Sequence, residues 1–271
     1  MGQSLIEKML PSLEKLPLPQ ETGANEVGRV AYLVGLDKAD DFGGDPKVLA
    51  EAIRAFQSGQ SRPYLQAGVA YVLLKAAREA DGRYSSEGLA AALTWLERAQ
   101  ALAPDLVEIN FMEALIYTYA GRFEDARTVL DFLQERHSDN FRLAAAVVAY
   151  WQEQGEVEHT LDWYRRAEER ADTPPQRVRL RRRLADFYQH LGRHAEALPL
   201  YKEATHFTQD DPFLWHALSQ AQWGLGDFFE ARRANQRALQ LLDFPQARQM
   251  EQELKSKLGS GGLTGRLFGR D

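Results

Sequence analysis

Cysteine is absent from all 271 residues. Its absence excludes disulfides, thiolate catalysis and cysteine-held metal together. The chain also lacks an uninterrupted apolar run of about 18 residues, the length a membrane-spanning helix needs. Its opening, Met1 to Pro11, carries Glu7 and Lys8 inside the one apolar stretch, unlike a signal peptide. Cytoplasm is the expected location. Catalytic signatures are missing as well: no Gly-x-Ser-x-Gly, no phosphate-binding glycine loop, no His-Glu-x-x-His. Histidine is sparse. His190 and His194 are four apart, but Leu191-Gly192-Arg193 between them reads as a turn, so they share no helix face and read as exposed turn histidines rather than a metal pair. Basic excess is missing too: 33 Lys and Arg stand against 39 Asp and Glu, a net charge of −6. That balance argues against nonspecific nucleic-acid binding. The expectation is a non-catalytic chain with no metal or cofactor.

What is present is a period. Gly121, Gly155, Gly192 and Gly226 are spaced by 34, 37 and 34 residues, each between two apolar, helix-patterned stretches. Such a period marks stacked helix–turn–helix units. Four residues before each glycine sit Tyr117, Trp151, Tyr188 and Gln222; five after sit Ala126, Thr160, Ala197 and Ala231. Nine after sit Leu130, Tyr164, Tyr201 and Asn235, and twelve after sit Leu133, Ala167, Ala204 and Ala238. Small residues let paired helices approach and aromatics fill the gaps between pairs, so these positions read as core. Thr160, Gln222 and Asn235 depart from the pattern and are expected to weaken local packing.

The pattern resembles the tetratricopeptide repeat. The best copy runs Leu184-Ala185-Asp186-Phe187-Tyr188, Gly192, Ala195-Glu196-Ala197, Tyr201, Ala204; the last keeps Trp215, Leu218, Gly226, Ala231 and Ala238. A degenerate copy lies earlier: Gly68 and Tyr71 in its first helix, Ala92, Leu96, Ala99 and Pro104 in its second, with the turn swollen by residues 80–86. The resemblance implies an all-α, right-handed α-solenoid of tetratricopeptide-like helix pairs with N- and C-terminal capping helices. The pairs are expected at about 62–103, 105–137, 141–171, 176–207 and 212–242.

The chain divides into 1–61, an N-terminal helical cap or divergent repeat; 62–258, the solenoid with a C-terminal capping helix; and 259–271, a flexible tail. Residues 5–16 read as a short amphipathic helix stopped by Pro17-Leu18-Pro19, and Val27–Leu36 as another. Asp45-Pro46 looks like an N-cap and first helical residue for a helix over 46–57. Between them the acidic stretch from Asp37 to Asp45 reads as a solvated loop, its carboxylates misplaced for calcium. Pro245–Leu258 reads as the capping helix. Gly259-Ser260-Gly261-Gly262 reads as a linker to Leu263, Leu267 and Phe268 beside Arg266 and Arg270. This tail is a candidate for weak contact with a membrane or a larger complex through 263–270.

Arg177, Arg179, Arg181, Arg182 and Arg183 place five guanidiniums in seven residues, with no acid between Asp172 and Asp186. By the resemblance, Arg179, Arg182, Arg183 and Asp186 take positions that face the family's concave groove. The preceding copy puts Arg142 there, the following copy His216, Gln220 and Trp223, and an earlier copy Phe111 and Tyr119. Guanidiniums grip carboxylates with two prongs, so an acidic peptide or a chain terminus is the ligand that fits. Some family members clamp a C-terminal carboxylate with Lys and Asn; this chain matches only the basic pair, Arg179 and Arg183. Salt bridges to Glu168, Glu169 and Asp172 are the competing reading. Three functions stay open: a protein-interaction adaptor, an assembly factor tethered by its tail, and an enzyme of unrecognised type.

Overall fold

The computed structural model describes residues 4–79 and 82–264, and every regular element among them is an α-helix. Two compact units follow one another along the chain, Met1–Arg170 and Ala171–Asp271. The first holds α1 (Leu5–Leu13) and four packed pairs. These are α2 (Glu26–Asp40) with α3 (Pro46–Ser58), α4 (Arg62–Ala76) with α5 (Ser86–Leu102), α6 (Val107–Tyr119) with α7 (Phe123–His137), and α8 (Phe141–Glu153) with α9 (Val157–Glu169). The second holds α10 (Pro174–His190) with α11 (His194–Phe207), α12 (Pro212–Gly224) with α13 (Phe228–Leu241), and α14 (Pro245–Thr264) on α13. The five expected pairs are all present. Part of the swollen turn, residues 80 and 81, and the tail from 265 onward lie outside the described residues.

The periodic glycines end their helices in one way. Gly121, Gly155, Gly192 and Gly226 have φ of 73°, 75°, 70° and 79°. The N–H after each glycine donates back to the carbonyl five residues earlier: Arg122 to Tyr117, Glu156 to Trp151, Arg193 to Tyr188, Asp227 to Gln222. The glycine's own N–H donates to the carbonyl three residues earlier in all four copies. This is the Schellman closure, and it satisfies carbonyls that a helix end would leave open. The small positions twelve and five residues after the turn are buried throughout, from Ala126 and Thr160 to Ala204 and Ala238.

The departures from the pattern pack better than the sequence implies. Thr160 is buried and its hydroxyl donates to the Glu156 carbonyl at 2.8 Å. Asn235 is buried between three elements: its Nδ2 donates to the Ala247 carbonyl at 2.8 Å and its Oδ1 accepts from His216 Nδ1 at 3.1 Å. A polar residue there brackets the final repeat to the capping helix, so only Gln222, whose buried Oε1 has no partner among the described residues, fits the expected weakening.

In the first unit, α4 is buried on almost every side, because α1, α2, α3, α5 and α6 all pack on it. Phe56 of α3 fills the space between α2 and α4; a Cβ at Gly35 or Gly68 would meet its ring at 2.2 and 2.4 Å. Residues 26–58 therefore form a packed helix pair. Polar residues cap the first three helices: Ser4 in a reciprocal capping box with Glu7, Asn25, and, as the sequence predicts, Asp45 ahead of Pro46. Three boundaries differ from the sequence reading by three residues or more; α1 ends at Leu13 rather than at residue 16. Helix α2 continues to Asp40, through residues read as a loop, and α14 continues to Thr264, through the Gly259–Gly262 stretch read as a linker. In α2 the extension is held by the contacts of Asp37 and Asp40 described below.

Candidate functional site

The arginine array lies on α10, which starts at Thr173, whose side chain caps the N–H of Gln176, and at Pro174. Arg182 donates to Asp211 Oδ2 at 2.6 Å, and Arg181 donates to Glu203 of α11. These partners come from downstream of α10. Both pairs are partly open to solvent: the Arg182 and Asp211 side chains are 37% and 19% exposed. Asp211 also caps α12, its Oδ1 accepting from the N–H groups of Phe213 and Leu214 at 2.8 and 3.1 Å. Asp186, one turn along from Arg182, accepts from Tyr201 OH at 2.7 Å. Burial, then the Asp186 charge, raises the Tyr201 pKa well above that of a free phenol, so this hydroxyl stays a donor. Arg177 and Arg183 are exposed and Arg179 is half-buried.

The other positions on the second unit divide. Gln220 is exposed. Trp223 is half-buried and packs with Phe228 on Ala231, Met250 and Leu254, under the capping helix. His216 is buried, with its ring edge-on to Phe244. Burial lowers its pKa, and the Asn235 hydrogen bond only partly offsets this. His216 therefore packs in the core of the second unit. His194 is half-buried rather than exposed; its ring lies over Gly224 and its Nδ1 is 3.0 Å from Gln189 Oε1.

On the first unit the groove reading needs correction. Phe111 is buried against Tyr71. Tyr119 is half-buried and stacks on Tyr84 with ring centroids 4.0 Å apart. Arg142 is 12% exposed and forked across α2: one nitrogen donates to Asp40 Oδ2 at 3.0 Å, another to Asp37 Oδ1 at 2.9 Å. Asp40 also accepts from Tyr71 OH and from Lys75 Nζ. Burial works against the Arg142 charge, but Asp40, Tyr71 and Asp37 outweigh it and hold its pKa above the usual guanidinium value. The acidic stretch read as solvated thus supplies the anions of a buried ion cluster, and α2 covers positions that the sequence assigns to a ligand. Pattern alone does not reveal this, since Asp40 and Arg142 are 102 residues apart.

No protein-family model and no curated protein matches the chain. Solved structures do. Yeast Tom70 superposes with a TM-score of 0.52 at 14% identity, covering 96% of this chain and 58% of that one. A signal transduction ATPase with numerous domains from Pyrococcus horikoshii, which carries a tetratricopeptide repeat sensor, gives 0.52 at 15% identity, covering 86% of this chain and 36% of that one. The fold is that of tetratricopeptide repeat proteins. A tetratricopeptide repeat protein from Thermus thermophilus is similar at 23% identity over 65% of this chain and 92% of that one, with a TM-score of 0.45. No helix among the described residues is long and apolar enough to cross a membrane.

Proposed function

We propose that this chain is a non-catalytic interaction scaffold and that the arginine face of α10 takes an acidic segment of a partner protein. The observation that carries the reading is the concentration of Arg177, Arg179, Arg181, Arg182 and Arg183 on one helix, where the Arg181 and Arg182 ion pairs are half-open to solvent. Ion pairs of that exposure are worth about 0–1 kcal/mol each, so a ligand carboxylate exchanges for them at little cost. Guanidiniums remain charged at every physiological pH and match a carboxylate geometrically. Gln220 is an exposed polar residue on α12, the first helix of the next repeat. A stack of tetratricopeptide-like pairs suits this role, because it presents successive first helices along one surface.

The test is the double substitution Arg179→Ala with Arg183→Ala. Binding of an acidic peptide is expected to drop by about tenfold or more, while helical content and cooperative unfolding stay as in the parent. Unchanged binding by the double variant would refute the reading.

A further inference from the structure

Asp211 divides its two oxygens between two tasks. Oδ1 caps α12 through Phe213 and Leu214; Oδ2 holds Arg182. The tasks are separable, since asparagine caps a helix about as well as aspartate but brings no charge. On α11, Glu203 holds Arg181 in the same manner. Both carboxylates present to α10 the group that an acidic ligand would bring.

We propose that Asp211, aided by Glu203, is a built-in competitor that sets the affinity of the α10 arginines for an acidic ligand; this rests on the acidic-segment reading above. An arriving carboxylate displaces Oδ2 from Arg182 while Oδ1 keeps its two backbone hydrogen bonds, so α12 stays capped throughout the exchange. One ion pair is traded for another, and a single ligand carboxylate gains little.

The experiment measures fluorescence anisotropy of labelled hexaglutamate with the full chain at low salt. Four proteins are compared: the parent, Asp211→Asn, Glu203→Gln and Asp210→Asn. The last removes the same charge from the exposed neighbouring position, which controls for the overall field. Asp211→Asn is expected to tighten binding about two- to fivefold over the parent, and Glu203→Gln by less. Asp210→Asn is expected to change binding less than Asp211→Asn does. Parent binding with an Asp211→Asn variant no tighter than Asp210→Asn would overturn the competitor role and leave the acidic-segment reading standing. Absence of binding to parent and Asp211→Asn alike would overturn that reading, and the competitor role with it.

Discussion

Gly192 has φ of 70°, and a Cβ built there would meet nothing within 4 Å. The glycine is needed for backbone conformation alone, not for space. Gly192→Ala is accordingly expected to cost about 1–2 kcal/mol in urea denaturation, and Gly192→Asn less, because asparagine tolerates the left-handed region better. Ala197 and Ala204 pose the opposite problem. They are fully or almost fully buried beside Tyr201 and Ala185, so added methylenes have nowhere to go. Ala197→Leu or Ala204→Leu is expected to destabilise by about 1–3 kcal/mol, and unchanged denaturation midpoints for both would contradict the packing described. These residues were legible in the sequence because each follows from local geometry: a turn that needs positive φ, a helix contact that needs a small side chain.

Elements are tied together by polar groups whose partners are distant in sequence. Arg142 joins α8 to α2 through Asp37 and Asp40. Arg142→Ala leaves Asp40 with Lys75 and Tyr71, so the expected loss is at the low end of that for a broken buried pair, about 3 kcal/mol. A loss below about 0.5 kcal/mol would show that α2 is not fastened there. In the second unit, His216 and Asn235 connect α12, α13 and α14. Burial lowers the folded-state pKa of His216 from its ordinary 6.5. Below that ordinary value the unfolded chain binds a proton that the folded chain resists, so stability falls with pH until the lowered pKa is passed. Denaturation of the parent and His216→Gln at about pH 7.5 and pH 5.5 checks this: the parent should lose more stability over the interval. An equal loss in both proteins would remove His216 from the account.

At the scale of the molecule, the repeat period and its apolar stripes revealed the five later pairs because stacking imposes a similar spacing on each copy, and the stripe of Met250, Leu254 and Leu258 revealed the capping helix. The pair α2 and α3 escaped that pattern: its contacts run through Phe56 between Gly35 and Gly68, and neither glycine stands at the turn position of the repeat. The candidate site was half legible. The density of arginine on α10 stands in the sequence, whereas the pairing of Arg182 with the α12 cap, and the burial of Arg142, His216 and Phe111, depend on which helices meet. The central claim is that the α10 face recognises acidic segments by charge. Binding of hexaglutamate to the full chain, measured at low and then at high salt beside hexalysine, tests it most directly. Hexaglutamate should bind at low salt and weaken progressively as salt screens the arginines, with no binding of hexalysine. Failure of hexaglutamate to bind, or binding indifferent to salt, would contradict the account.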